Sequence, residues 1–472
     1  MGYHPGAEDD SLYLAAVKAD LNPALFPHDA DFFRLQMRTS VFDTWMARFV
    51  TGTGMPVAWA ELLWQWMSLL LVVWSCWSIV RWLFKETAAH WGGVAMVAAM
   101  FTLPVAGTGL YLMDQHLHPR NPATALILFG VSRIVAGKSW QAVPLALIAF
   151  LLHPLMGAFG ISFCCVLALT LNERLRARLG SIFSRRTGAA AALIPFGWVF
   201  GKPSETWMDA MRTRHLYFLY QWEWYEWLGA IGPLLLFWLV AHVARKRGES
   251  NLYHFATAVL IFGVFQQAVA LAILSPWAPI GMTTLEPMRY LQLVYFFLAL
   301  IGGAYLGQYV LKARVWRWAI FLLIVNGGMF LGQRQLFAGT QHIELPSMAT
   351  ANPWLQAFDW IRRNTPADAY FALDPNYTNA PGEDCHGFRA LAERSMMADA
   401  NKDTTTVTKQ PELGPAWKRQ LEARNGWSSF KLADFERLKA DFGADWALVS
   451  YPQPAGLDCR WHNDALAVCR VP

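Results

Sequence analysis

Three consecutive carboxylates, Glu8, Asp9 and Asp10, stand near the start of the chain, with Tyr13 shortly after and His28, Asp29, Asp31 and Arg34 beyond. Adjacent carboxylates suit a divalent cation, a phosphate held through that cation, or general-base work on a hydroxyl. The competing reading is structural, because acids in the first turn of a helix complement its dipole and need do nothing else. Other groups with chemical capacity come in clusters. They are Asp114, His116, His118 and Arg120; His153 ahead of Pro154; Lys202, Arg212, Arg214 and His215 before an aromatic run over 217–227; and Glu286-Pro287-Met288-Arg289.

Each cluster also has a bland reading. Residues 118–122 (His-Pro-Arg-Asn-Pro) read equally as a rigid turn with an extended Arg. His153 reads as a group that satisfies carbonyls freed by the following proline. The aromatic run reads as an interfacial belt. Arg289 is harder to set aside: a cation at a helix start opposes the dipole and is costly in a membrane, so it requires a partner or an anionic ligand.

The elements that must position these groups are mostly membrane helices. Hydrophobic residues make up 55% of the 472, charged residues 15%, and there are 24 Trp; mean hydropathy is +0.25. That composition excludes an ordinary soluble enzyme and places the chain in the membrane class. The net charge of +5 sits in short loops. It speaks to topology rather than to nucleic acid. The six Cys have no metal-ligand spacing. Cys459 and Cys469 flank a short polar stretch and would close a hairpin disulfide in an extracytoplasmic setting.

Residues 1–56 read as an amphipathic, non-spanning region. Apolar segments follow at roughly 61–84, 92–112, 122–136, 141–152, 154–171, 188–201, 227–244, 252–275, 288–310 and 316–333. Several are shorter than the ~20 residues a straight span needs. The stretch 141–171 is too long for one helix and is interrupted at His153-Pro154, so it reads as two. Five basic loops test that split: Arg81/Lys85, Arg133/Lys138, Arg174–Arg186, Arg245–Arg247 and Lys312–Arg317. With the split all five fall on one side, cytoplasmic by the positive-inside rule. The acidic stretch and everything after 334 then face outward. An outward N-terminus without a signal peptide leads to the expectation that a first helix is missing from this chain.

The expected fold is therefore a mainly α polytopic membrane protein of about ten helices, some short or broken. The domains are an extracytoplasmic acidic region over 1–56, a helical bundle over 57–335 and an extracytoplasmic α/β domain over 336–472. In that last domain helices are expected over 352–363, 388–394 and 430–442, and strands over 369–373, 395–398, 446–449 and 465–471.

With this organisation the chain resembles the GT-C superfamily of membrane glycosyltransferases. The run 9–13 (Asp-Asp-Ser-Leu-Tyr) is similar to the paired acidic motif of that superfamily's first outer loop. Residues 354–369 (Trp-Leu-Gln-Ala-Phe-Asp-Trp-Ile-Arg-Arg-Asn-Thr-Pro-Ala-Asp-Ala) look like the start of the soluble domain in oligosaccharyltransferase catalytic subunits, and 389–399 is similar in flavour. The chain departs from that pattern at 373–377, which read Leu-Asp-Pro-Asn-Tyr where those subunits carry Trp-Trp-Asp. It also lacks a second Asp-X-Asp motif in a later loop.

The resemblance implies an inverting transferase of a bacterial inner membrane, taking sugar from a polyprenyl-phosphate donor to an envelope glycan, lipid or protein. It implies Asp9 as base or metal ligand with Asp10 as its partner, and Glu8, Asp9 and Asp10 around a divalent metal such as Mg or Mn. Arg289, with Arg212 or Arg214, would hold the lipid phosphate. His153, His116, Arg120 and Glu286 would line the substrate pocket. The implied partners are membrane lipid and the sugar donor, with no nucleic acid. Two rivals stand beside this: a non-catalytic lipid-binding or scaffold component of envelope assembly, and a transporter, against which the chain shows no matched broken segments.

Overall fold

A computed structural model of the chain describes residues 2–172 and 201–472. The basic loop at 174–186 and nearly all of the apolar segment at 188–201 lie outside the described residues. Three short helices open the fold: α1 (Asp10–Leu21), α2 (Arg34–Thr39) and α3 (Phe42–Thr53). Then come α4 (Val57–Leu83), α5 (Thr87–Ala99), a small hairpin of β1 (Pro104–Val105) and β2 (Leu110–Tyr111), α6 (Arg120–Val135), α7 (Ala142–Leu152) and α8 (Pro154–Leu171). After the gap follow α9 (Glu205–Arg212), α10 (Trp224–Arg247), α11 (Ser250–Ile273), α12 (Leu291–Tyr305) and α13 (Val315–Leu336).

Among the described residues, six helical stretches are long and apolar enough to cross a membrane: Val57–Leu83, Pro154–Leu171, Trp224–Arg247, Ser250–Ile273, Ile280–Leu311 and Val315–Leu336. Of the remaining described apolar segments, those at 122–136 and 141–152 are shorter helices, and the one expected over 92–112 is α5 followed by the β1–β2 hairpin. α6 is the clearest case, being buried along most of its length among α4, α7 and α8. Apolarity in sequence reports burial by protein as well as burial by lipid, so a short helix wrapped by its neighbours reads like a span. The break between α7 and α8 falls at His153, which is extended at φ −148° and takes the Met156 N–H on Nδ1. α5 and α12 approach closely through glycine: a Cβ at Gly92 would meet the Gly303 carbonyl oxygen at 2.3 Å. Small residues at such a contact allow van der Waals packing of the two backbones.

The basic helix ends lie together. Asn251 Nδ2 donates to the Trp82 carbonyl at 2.9 Å, and Arg247 donates to the Tyr309 hydroxyl at 2.7 Å. This gathers the ends carrying Arg81, Arg245–Arg247 and Lys312.

The C-terminal region holds α14 (Pro353–Asn364), β3 (Tyr370–Ala372), α15 (Phe388–Ala392), β4 (Ser395–Met396), α16 (Lys402–Lys409), α17 (Gly414–Glu422), α18 (Leu432–Phe442), β5 (Trp446–Ser450), β6 (Asp458–His462) and β7 (Leu466–Arg470). The sheet order is β4-β3-β5-β7-β6, with β3 parallel to β4 and β5, and β7 antiparallel to β5 and β6. Alternation along β3 sends Phe371 to one apolar core with Phe358 and Ile361, and Tyr370 and Ala372 to another with Phe435 and Leu438. Cys459 and Cys469 face each other across β6 and β7 and form a disulfide.

Most expected elements of this region are present within a residue or two. α16 has no counterpart in the sequence reading, because four of its eight residues are threonine, a weak helix former. α17 and β6 likewise have none. The acidic N-terminal stretch packs on this same region. Tyr3 bridges to Ile343 and Ala7 to His386. Lys18 reaches Glu393 at 2.7 Å, and buried Arg389 links Asp29 to Asp403.

Candidate functional site

A cavity of about 1120 Å³ lies where α1, the loop after α2, the α7–α8 break, α11, the start of α12 and α16 meet. Its lining includes Asp9, Tyr13, His118, His153, Glu286, Arg289 and Lys409, set among apolar groups such as Leu35, Phe150, Phe159 and Ile273. Residues that the sequence scatters from position 9 to position 409 thus share one space.

Asp9 is the N-cap residue of α1, yet its side chain makes no capping hydrogen bond. Its carboxylate is engaged elsewhere. Oδ1 lies 3.1 Å from Lys402 Nζ, which also reaches Glu8 Oε2 at 2.9 Å. Oδ2 lies 3.9 Å from His118 Nε2, and 37% of the side chain is accessible. Burial alone would raise the Asp9 carboxyl. Lys402, His118, Arg120 and Arg289 outweigh it and hold the group well below the usual carboxylate range. Asp9 is therefore a persistent carboxylate with one oxygen tethered and one turned to the cavity.

His118 accepts the Arg120 backbone N–H on Nδ1 at 3.0 Å. Its proton then belongs on Nε2, the atom that faces Asp9. Burial and the nearby Arg120 push His118 well below its ordinary value despite Asp9, so the imidazole is neutral at pH 7. Tyr13 packs edge-on against this ring at 4.7 Å, and His153 lies 5.6 Å away on another side.

Glu286 and Arg289 form another part of the cavity wall. Arg289 Nη1 lies 2.5 Å from Glu286 Oε2. Glu286 is 5% exposed and holds a left-handed conformation at φ 49°. Lys409 Nζ approaches its other oxygen at 4.0 Å, and the Tyr217 hydroxyl donates to it at 3.4 Å. The partner that Arg289 requires is thus Glu286, and the pair together faces the cavity.

Other expected site residues lie elsewhere. Asp10 takes the Gly6 N–H on Oδ2 at 2.6 Å and is 2% exposed, away from the cavity. Consecutive helical positions point about 100° apart, so Asp9 and Asp10 cannot both face it. The Arg120 side chain is buried in a two-point pair with Asp114, at 2.7 and 3.0 Å, and reaches the site only through its charge, while its backbone N–H orients His118. His116 is buried beside His118 but does not line the cavity. Arg212 is on the solvent side of α9, paired with Asp209. Arg214 donates to the Asn401 carbonyl at 2.7 Å and to the Thr405 hydroxyl, fastening the loop after α9 to α16. In the aromatic run Tyr217 is buried, whereas Tyr220, Trp224 and Tyr225 are exposed, as an interfacial belt would be.

The three N-terminal carboxylates do not fit a metal. Glu8 and Asp9 converge on an ammonium, and Asp10 faces away. Among the described residues no group of three or more His, Cys, Asp or Glu is arranged to hold a metal ion.

Lys402, Lys409 and Arg38 are site residues that sequence reasoning missed. Lys402 is 393 positions from Asp9, and nothing in its local sequence announces the contact. On α16, residues 402, 405 and 409 share a helical face by their spacing, a signal readable only once a helix is assigned there.

No family model matches the chain, and a comparison with curated proteins finds no significant match.

Proposed function

We propose that the chain is a GT-C-like glycosyltransferase, transferring a sugar from a polyprenyl-phosphate donor to an envelope glycan, lipid or protein acceptor at the outer face of a bacterial inner membrane. One observation carries this reading: Asp9, His153 and Arg289 line the same cavity. A donor of this class has a greasy chain, a phosphate and a sugar. The apolar lining suits the chain, and Arg289, Lys409 and Arg38 suit the phosphate.

In the proposed reaction Asp9 accepts the proton of the acceptor hydroxyl. The hydroxyl oxygen attacks the anomeric carbon as the bond from that carbon to the phosphate oxygen breaks. The phosphate leaves with the electron pair, and Arg289 and Lys409 stabilise its charge. Neutral His118 offers Nε2–H beside the Asp9 oxygen that takes the proton.

Two features support the outer placement of the site. The Cys459–Cys469 disulfide suits an oxidising compartment. The basic helix ends gather together, as cytoplasmic ends do. The test is transfer of labelled sugar from a polyprenyl-phosphate donor by the purified chain in nanodiscs. Transfer by the wild type and its loss in Asp9→Asn is the expected result; transfer at full rate in Asp9→Asn sinks the reading.

The scaffold reading is favoured by one observation: Glu8 and Asp9 are both already paired with Lys402, as carboxylates of a purely structural cluster would be. It requires polyprenyl-phosphate binding with no sugar transfer by the wild type.

A further inference from the structure

A lysine stands between two carboxylates of the acidic motif. Lys402 is only 6% exposed, and its Nζ contacts Glu8 Oε2 at 2.9 Å and Asp9 Oδ1 at 3.1 Å. Glu8 turns toward it from a left-handed backbone at φ 53°, an arrangement that a non-glycine residue adopts at a cost. These are charge-assisted hydrogen bonds, longer than the 2.0–2.6 Å or so of magnesium or calcium to oxygen. The ammonium nevertheless does much of what a cation would do there: it tethers Asp9 through Oδ1, offsets one of the two negative charges and leaves Oδ2 toward His118 and the cavity.

We infer that Lys402 is the built-in cation of this site, standing where the resemblance implies a divalent metal, and that it positions Asp9 with one oxygen toward the cavity. The inference extends the transferase reading, because the acid that Lys402 positions is the proposed base. A tethered ammonium cannot be chelated or exchanged. It arrives with α16, so the acidic motif is complete only when the C-terminal region is docked on the N-terminal stretch. A second carboxylate is needed only to hold the cation, which assigns Glu8 a role that a lone base would not require.

The test reads metal binding and transfer separately, on the full chain in nanodiscs. Mn²⁺ titration followed by electron paramagnetic resonance is expected to show no stoichiometric site in the wild type. Lys402→Met, which removes the charge and keeps the bulk, is expected to gain a single Mn²⁺ that is lost again when Glu8→Gln is added. If Lys402→Met accumulates only with Mn²⁺ in the buffers, that is the same result read through folding. A stoichiometric Mn²⁺ on the wild type that Asp9→Asn removes overturns the inference. So does a Lys402→Met chain that neither binds Mn²⁺ nor is rescued by it.

In the sugar-transfer assay, chelator is expected to leave the wild-type rate unchanged, and Lys402→Met without metal to lower kcat about 100-fold with KM held. A chelator-sensitive wild-type rate, or a KM effect alone, overturns the positioning role. A wild type with no transfer at all rejects the transferase reading instead and leaves the Mn²⁺ result to decide Lys402.

Discussion

His118 Nε2 stands 3.9 Å from Asp9 Oδ2, on the side of the carboxylate that Lys402 does not hold. The gap is too long for a hydrogen bond. It leaves Oδ2 open to an incoming hydroxyl, with a neutral N–H alongside. Asp9→Asn keeps the shape and removes the basicity. Sugar transfer should fall by about 10²–10⁴-fold, while the thermal midpoint stays near that of the wild type. Collapse of the fold in this variant would show the carboxylate to be structural.

Arg289 and Glu286 neutralise each other in a largely buried pair. Arg289→Ala leaves Glu286 buried without its main counter-charge and should cost about 3–5 kcal/mol of stability. Adding Glu286→Gln should restore much of the loss. Thermal unfolding of both variants in detergent measures this. If the double variant is no more stable than the single one, the pair is not what holds this wall.

Arg389 is a buried polar link between the N-terminal stretch and the C-terminal region, joining Asp29 to Asp403 with almost no solvent access. Arg389→Met strands two carboxylates. Limited proteolysis should then cut within residues 20–40 far faster than in the wild type. An unchanged cleavage pattern would mean that the docking does not depend on the Arg389 pairs and is held by the other contacts, Lys18–Glu393 and Lys402–Glu8/Asp9 among them.

A second link depends on pH. His386 lies 3.4 Å from both Glu344 and Glu383, and Glu344 lies 2.6 Å from His4. Burial alone would depress His386, but the two glutamates raise it to about 10 from 6.5. Burial would raise Glu344, but hydrogen bonds from His386 and His4 lower it to about 2 from 4.5. A raised histidine stabilises fully below its unfolded value and loses that contribution as pH climbs from 6.5 toward 10. A lowered glutamate stabilises above its unfolded value and loses the contribution as pH falls from 4.5 toward 2. Stability from this cluster should therefore peak between 4.5 and 6.5 and decline on both sides. Thermal melts of wild type against His386→Gln check it, since the variant should lose the alkaline decline.

The Cys459–Cys469 bridge closes a loop of sequence separation 10. Replacing both by serine should cost about 2–3 kcal/mol in the chain-entropy view. The same cysteines report sidedness. After reduction, a membrane-impermeant maleimide should label them from the outer face of intact cells. Labelling only from inverted vesicles would reverse the topology and move the proposed site to the cytoplasm.

Much of the scaffold was legible. The break at His153-Pro154 was readable because proline removes a backbone donor and sits well at a helix start. α14, with its Asn352 cap, and β3, β5 and β7 were readable from local capping and periodicity. α6 marks the limit of that reading, because its apolar sequence meets protein neighbours in α4, α7 and α8.

What the sequence determined by itself was therefore local and compositional: the membrane class, most helix ends, the α/β character of the last region, and the types of residue able to do chemistry. Which of these residues meet was decided only by the tertiary structure. Asp9 faces the cavity and Asp10 does not, because one helical step turns the side chain away. Arg212 remains in solvent while Arg289 reaches the cavity, and that depends on which helix ends pack together. The ammonium on the acidic motif comes from Lys402 on a threonine-rich helix with little helical signal of its own. Side-chain convergence is a property of packing between distant segments, and the local periodicities that betray helices and strands carry no record of it.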